Sequence, residues 1–202
     1  MKSNNKKRIN YITTVGILSA LAAVLMILDF PVWFAPSFYK FDFGDLPALI
    51  GAFLLGPAAG IIIELIKVLL NLLLNGTVTA YVGEISNFIM SLALILPAGL
   101  IYKHKKTKKT AIISLICGVC TITVVSTAVN YFLLIPAYSA AMGIPLDVII
   151  GAGTKLNPAI TDMKTFILFA VVPFNLFKSG ICSIVTFIVY KKVGAVLGKI
   201  IK

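Results

Sequence analysis

The chain carries charged residues inside apolar runs that are long enough to cross a lipid bilayer. Lys178 lies within FILFAVVPFNLFKSGICSIVTFIVY, and Glu64 and Lys67 lie within GIIIELIKVLLNLLL. An ionisable side chain at the centre of a bilayer costs at least about 2.5–3.5 kcal/mol, so each of these groups must face protein or a wet cavity. Inward-facing cations in apolar spans predict a membrane protein that holds a polar small molecule.

The composition supports an all-α membrane protein that forms a single integral membrane domain over residues 1–202. Hydrophobic residues make up 59% of the chain and charged residues only 12%, whereas soluble domains carry about 25% charged residues. The first apolar run follows a basic N-terminus but lacks a convincing cleavage site, so we interpret it as a retained span. The apolar runs predict six transmembrane helices at about 9–30, 45–55, 58–75, 84–102, 110–135 and 164–190.

The basic residues predict the orientation of these spans. The net charge is +11, and most of it falls in three clusters without acidic residues, at residues 2–8, 103–109 and 191–202. Clusters that flank apolar runs follow the positive-inside rule, with anionic lipid headgroups as the counter-charge, which argues against a nucleic-acid-binding protein. The N- and C-termini are therefore expected in the cytoplasm. The loops at 31–45, 75–84 and 136–163 are then extracytoplasmic, and a ligand site opens outward.

One face of the third span is polar. Gly60, Glu64, Lys67, Asn71 and Asn75 follow helical spacing, and Glu64 can neutralise Lys67 three residues away. A seam that locks helices together is the main interpretation. A direct role with substrate and coupling to a partner remain alternatives.

The sixth span places Asn175 and Lys178 three residues apart on one helix face. No acidic residue lies within a helical turn of Lys178, so its counter-charge comes from another span, for example Glu84 or Glu64, from a ligand or from solvent. An amide beside an ammonium group can donate hydrogen bonds to the carbonyl oxygens and ring nitrogens of a flat polar heterocycle. We therefore expect Asn175 and Lys178 to bind ligand.

Two further polar residues leave alternatives open. Glu84 begins the fourth span, where it either contacts ligand or stabilises the helix N-terminus through the macrodipole. Asn130 stands alone in the fifth apolar run, where an amide serves either as a ligand contact or as a link between helices.

The first span contains two pairs of small residues four apart. Gly16 with Ala20 and Ser19 with Ala23 would let another helix approach closely. The contact is either within the chain or with a different membrane subunit.

The sequence offers little for catalysis or metal binding. Cys117 and Cys120 form a CxxC inside an apolar run, and the chain has a single histidine, His104, so we interpret the cysteines as packing residues. No nucleophile–base pair is visible. We expect no metal site and no enzymatic activity.

Three segments in order carry a resemblance to a known family: KFDFGDLPALIGAFLLGPAAGIIIELIKVLLNLL at 40–73, NGTVTAYVGEISNF at 75–88 and VVPFNLFKSG at 171–180. With the Asn130 region between the last two, the chain resembles the substrate-binding S components of energy-coupling-factor (ECF) vitamin transporters, most closely the riboflavin type. Tyr81 departs from the small residues expected at that position. The resemblance implies the S-component fold in a bacterial cell membrane.

The resemblance also implies a ligand and its site. Riboflavin would enter a chamber of vitamin size from the outer side of the membrane. Its isoalloxazine ring would lie among Asn130, Asn175 and Lys178. Glu84 and the loop at Phe41 would close the rest of the pocket. Riboflavin would be cargo, and no cofactor is implied.

The implied partners are a transmembrane coupling subunit and two cytoplasmic ATPase subunits, because the chain has no nucleotide site of its own. The small residues Gly16, Ser19, Ala20 and Ala23 would form the docking surface. A bulky residue at Ala20 or Ala23 would then abolish uptake and leave riboflavin binding intact.

Two alternatives remain on the sequence. The chain could be an S component for another vitamin such as thiamine. It could also be an autonomous proton-coupled secondary transporter that uses Glu64 and Lys67, or Lys178, as a proton relay.

Overall fold

The protein is a bundle of α-helices that range from 4 to 29 residues. A computed structural model describes residues 2–77 and 79–200, with the side chains of 5–77 and 79–197. Lys2, Lys199 and Lys202 of the predicted basic clusters lie outside the described side chains. The helices are α1 (Lys2–Ile27), α2 (Asp45–Leu55), α3 (Pro57–Asn75), α4 (Val82–His104), α5 (Lys108–Val129), α6 (Ile135–Met142), α7 (Leu146–Thr154), α8 (Met163–Phe166) and α9 (Val172–Ile200).

Five helical segments in the described ranges are long and apolar enough to cross a membrane. They are Asn5–Ile27, Pro57–Asn75, Val82–His104, Lys108–Met142 and Met163–Leu197. Helix α2 is apolar but has only 11 residues. At a rise of 1.5 Å per residue it extends about 17 Å, which is too short for a hydrocarbon core of about 30 Å.

Two π-helical turns interrupt the last two long segments. The turn π1 (Asn130–Leu134) joins α5 to α6, and π2 (Ile167–Val171) joins α8 to α9. Each ends shortly before a proline, Pro136 or Pro173. Because proline has no N–H to donate and its ring crowds the carbonyl four residues back, an α-helical register is disfavoured there. The wider π turn keeps the helix continuous across the proline.

The connection at 136–163 is more regular than the sequence predicts. The sequence predicts that the fifth span ends at about 135 and is followed by a loop, but α6 continues the fifth span to Met142 and α7 covers Leu146–Thr154. The π1 turn explains the first difference, because it lets the helix pass Pro136. Asp162 then begins the last segment with a capping box, in which its carboxylate accepts a hydrogen bond from the Thr165 backbone N–H. That bond lowers the pKa of the Asp162 carboxyl group.

Helix α2 lies at the centre of the bundle, in contact with α1, α3, α4 and α9. Its residues from Pro47 to Phe53 are all buried. Gly60 of α3 allows a close approach of α2, because a Cβ atom there would lie 2.8 Å from the Cβ of Ala52. At the end of the bundle nearest the 103–109 loop, Phe53 stacks on Tyr102 with ring centroids 4.2 Å apart. This end is packed with apolar side chains, and the polar groups gather toward the other end.

A short hairpin covers that other end. Strands β1 (Phe30–Pro31) and β2 (Lys40–Phe41) pair antiparallel, with Phe30 opposite Phe41. The predicted loop at 31–45 therefore overlaps two short paired strands. We call residues 30–41 the hairpin.

Candidate functional site

Five ionisable side chains from four parts of the fold form what we call the charge network. Lys67 Nζ lies 2.8 Å from Asp45 Oδ1 and 2.5 Å from Glu64 Oε1. Lys178 Nζ lies 2.6 Å from Asp42 Oδ2 and 4.0 Å from Asp45 Oδ2. Glu64 and Lys67 are completely buried, so their charges are compensated by each other and by Asp45 rather than by water.

The network ties the central helices together. Asp45 begins α2, and its Oδ1 also accepts a hydrogen bond from the Ser91 hydroxyl of α4 at 2.7 Å. Lys67 and Glu64 belong to α3. These contacts support the seam interpretation of the polar face on the third span. The far end of that face is exposed, where the Asn75 amide donates to Asn71 Oδ1.

The Lys178 ammonium group pairs with neither of the two acidic residues suggested from the sequence. Neither Glu84 nor Glu64 contacts it; the counter-charge is Asp42, in the segment that follows the hairpin. Asp42 also accepts a hydrogen bond from the Gly44 backbone N–H through its other oxygen, at 2.7 Å. One carboxylate thus fixes both the start of α2 and the cation of α9.

The two amides lie at the two π turns, which contact one another. Asn130 is the first residue of π1; its Nδ2 donates to the Ser126 carbonyl at 2.8 Å. Asn175 lies one turn after π2; its Nδ2 donates to the Val171 carbonyl at 2.9 Å. Both amides are therefore oriented by bonds to their own helices. π turns inside α-helices often occur at functional sites.

The hairpin connects Asn130 to α9. The Tyr39 hydroxyl donates to Asn130 Oδ1 at 2.9 Å, and the Tyr39 ring lies 5.1 Å from that of Phe174. Burial raises the pKa of the Tyr39 hydroxyl, which keeps it protonated as a donor. Phe41 is almost completely buried and contacts Phe177 edge to face.

Four of the five predicted ligand residues therefore come together at one end of the bundle. The hairpin carries Phe41 and contacts Asn130 through Tyr39, and the segment that follows it contacts Lys178 through Asp42. Asn175 lies on α9 next to Phe174, whose ring packs against Tyr39. Glu84, in the first turn of α4, lies at the same end but contacts a different segment, because its Oε2 accepts hydrogen bonds from the hydroxyls of Thr77 and Thr79.

The structure differs from the expected open chamber. The Asn130 amide bonds to Tyr39 and the Lys178 ammonium to Asp42, so protein groups occupy these polar atoms. A crevice of about 160 Å³ lies elsewhere, between α4 and the π1–α6 region. Its lining is apolar and includes Ile85, Ile89 and Leu133 but none of the five predicted ligand residues. The hairpin explains the difference, because it supplies Tyr39 as the donor to Asn130, and the segment after it supplies Asp42 as the counter-charge of Lys178.

The small residues of α1 divide between two faces. Ser19 and Ala23 are buried against the bundle. Gly16 and Ala20 are exposed, and nothing lies near the Cβ position of Gly16. Ser19 and Ala23 pack within the chain in this structure, because the 19/23 pair lies on the side of α1 that faces α2 and α3, and Gly16 and Ala20 lie on the exposed side.

Comparison with known proteins decides the family. A family model described as the substrate-specific component of ECF transporters matches residues 10–190. The chain belongs to this family. The resemblance of the three sequence segments is therefore confirmed, and the chain belongs to a transport family rather than to a family of enzymes.

Individual relatives of this S component match over nearly their whole length. The riboflavin transporter RibU of Staphylococcus aureus (strain TCH60) is 33% identical over 202 residues, which cover 98% of this chain and 100% of the relative. The riboflavin transporter FmnP of Bacillus subtilis (strain 168) is 31% identical over 188 residues, 92% of each chain. A solved structure described as "Structure and mechanism of the S component of a bacterial ECF transporter" superposes with a TM-score of 0.75 at 33% identity, over 94% of this chain and 98% of that one.

Proposed function

We propose that this S component captures riboflavin at the outer side of the bacterial cell membrane and delivers it for ATP-driven uptake. The observation that carries the proposal is the near full-length similarity to proteins named riboflavin transporters. The convergence of two carboxamides, one ammonium group and several aromatic rings at one end of the bundle supports it.

The chemistry of these groups suits a flavin. Asn130 Oδ1 accepts a hydrogen bond from a ring hydroxyl in this structure and would accept one from the flavin imide N–H. Asn175 and Lys178 would donate to the flavin carbonyls, and Phe41 would form part of the apolar wall. Glu84 already accepts from two hydroxyl groups, so its carboxylate suits the hydroxyls of the ribityl chain.

We also propose six membrane crossings with both termini in the cytoplasm. The short helix α2 would be the partly embedded second crossing, and the exposed lysines of the 103–109 loop would face the cytoplasm. This orientation places the hairpin, the amides and Lys178 at the extracytoplasmic end. The partners would be a transmembrane coupling subunit and two ATPase subunits, with Gly16 and Ala20 at the docking surface.

A titration of riboflavin into the purified protein in detergent tests the ligand. We expect the parent to bind and to quench flavin fluorescence, and Asn175→Ala and Lys178→Ala to weaken binding at least tenfold, since hydrogen bonds to charged or buried groups contribute about 1.5–3 kcal/mol. Asn75→Ala is the matched control, because it removes an exposed amide. Binding of thiamine instead of riboflavin would contradict the ligand assignment.

Uptake measurements test the partners. Ala20→Phe should leave riboflavin binding unchanged and abolish uptake, whereas Ile188→Phe, at another exposed position, on α9, should leave both unchanged. Ala23→Phe is now expected to destabilise the protein, because Ala23 is buried. Uptake driven by a proton gradient in vesicles without the ATPase subunits would support a secondary transporter instead.

A further inference from the structure

We propose that Tyr39 is a tethered competitor of riboflavin: without ligand, its hydroxyl occupies the acceptor on Asn130 that the flavin takes when it binds. The inference rests on the proposed function and adds a residue that modulates affinity. It also explains why the polar atoms of the site contact protein groups in this structure.

The first support is the orientation of the Asn130 amide. Its Nδ2 is committed to the Ser126 carbonyl, so Oδ1 is the atom that is directed away from the helix, and this atom receives the Tyr39 hydroxyl at 2.9 Å. A phenol O–H and an imide N–H are both neutral donors carried at the edge of a flat ring. One acceptor can therefore serve either in the same direction.

The second support is the surroundings of the Tyr39 ring. It lies among three other rings, with centroid distances of 4.9 Å to Phe38, 6.4 Å to Phe166 and 5.1 Å to Phe174. Tyr39 packs against the apolar cluster around Phe166 and also against the one around Phe174. Withdrawal of this one side chain would leave a gap between the two clusters that is walled by aromatic rings, which suits a flat heterocycle.

The third support is the weakness of the attachment that holds Tyr39 in place. The hairpin has two residues in each strand, and Tyr39 follows a turn in which its N–H donates to the Pro36 carbonyl. Two strands this short contribute little stability of their own, and the hairpin is held in place mainly by the buried side chains of Val32, Ala35 and Phe41 rather than by Tyr39 alone. Displacement of Tyr39 therefore needs no disruption of the long helices.

Tyr39→Phe separates this role from that of a direct ligand. The variant keeps the ring but removes the hydrogen bond to Asn130, so the competitor is weakened. We expect riboflavin to bind about three- to tenfold more tightly than to the parent, in line with the net contribution of one hydrogen bond. Stopped-flow fluorescence should assign the gain to faster association, because the lost bond exists only before riboflavin binds.

Tyr81→Phe is the matched control, since Tyr81 is an exposed tyrosine in another loop. The affinity of this variant for riboflavin should equal that of the parent. Unchanged or weaker binding by Tyr39→Phe would overturn the proposal, and weaker binding would identify Tyr39 as a direct contact. Thermal unfolding of each variant checks that the fold is kept.

A second measurement needs no riboflavin. In the ligand-free protein, Tyr39→Phe should accelerate hydrogen exchange at the backbone amides of residues 37–43, because the bond to Asn130 anchors the hairpin. Equal hydrogen-exchange rates at these amides in the parent and the variant would overturn the proposal that Tyr39 competes with riboflavin. Failure of the parent itself to bind riboflavin, with faster exchange in the variant, would instead locate the error in the proposed function.

Discussion

One aspartate–lysine pair begins directly before the hairpin, and a second begins directly after it; the two pairs differ sharply in their exposure to solvent. Asp29 and Lys40 pair at 3.0 Å with side chains that are 35% and 52% exposed. Asp42 and Lys178 pair at 2.6 Å with side chains that are 6% and 13% exposed. The chemistry of the two pairs is the same. Each charged group of an exposed pair is solvated by water with or without the other group. Each charged group of a buried pair depends on the other for neutralisation.

The buried pair also belongs to a larger set. The charge network contains three carboxylates and two ammonium groups, those of Asp42, Asp45, Glu64, Lys67 and Lys178. Removal of a cation therefore leaves two or more uncompensated acids, whereas removal of one acid leaves equal numbers of each sign. The exposed pair has no such asymmetry, so the comparison can be tested by changing one charge at a time.

The largest effect is expected for Lys67→Met. The methionine fills a similar volume but leaves Glu64 and Asp45 without the ammonium group that contacts both. We expect a loss of about 3–5 kcal/mol in the free energy of unfolding, the usual cost of breaking a buried pair from one side. Thermal or SDS-induced unfolding of the purified protein measures it.

Asp45→Asn is the matched control for that change. It keeps the size of the side chain and leaves Asp42 and Glu64 against Lys67 and Lys178, so it should cost clearly less than Lys67→Met. A control that destabilises the protein as much as Lys67→Met would show that local geometry, rather than charge balance, governs the network.

A smaller effect is expected for the pair that joins the site to the network. Lys178→Met leaves Asp42 and Asp45 near each other without this ammonium group and should reduce stability by about 2–4 kcal/mol, whereas Asp42→Asn leaves equal numbers of each sign and should cost less. The double variant should be more stable than the sum of the two losses predicts, with a coupling energy of about 1–3 kcal/mol. Unfolding of all three variants and the parent completes the cycle. Additive losses would contradict a direct interaction between the two side chains.

The sequence predicted the parts of this arrangement that local spacing encodes. The long helices follow from apolar runs, and the Glu64–Lys67 pair follows from a separation of three residues on one helix. Asn130, Asn175 and Lys178 stood out because polar groups are rare in such runs.

The rest depended on contacts between distant residues. Asp42 is 136 positions from Lys178 and lies in the 31–45 loop, so no local spacing connects the two residues. A signal was present, since Asp42 and Asp45 stand between buried apolar residues in KFDFGDLP, where solvated acids are unusual. The π turns were not foreseen either, although a proline shortly after a polar residue in a long helix is consistent with one.

The smallest effect is expected for the exposed pair. Asp29→Asn should change the free energy of unfolding by no more than about 1 kcal/mol, because water solvates Lys40 when its partner is removed. What little the pair contributes should disappear between 0.1 and 1 M salt, where the Debye length falls from about 10 to 3 Å. The loss caused by Asp42→Asn should be nearly independent of salt, since its partner is buried. Unfolding of both variants at the two salt concentrations makes the comparison, and a similar salt dependence for the two would show that solvent reaches Asp42 and Lys178.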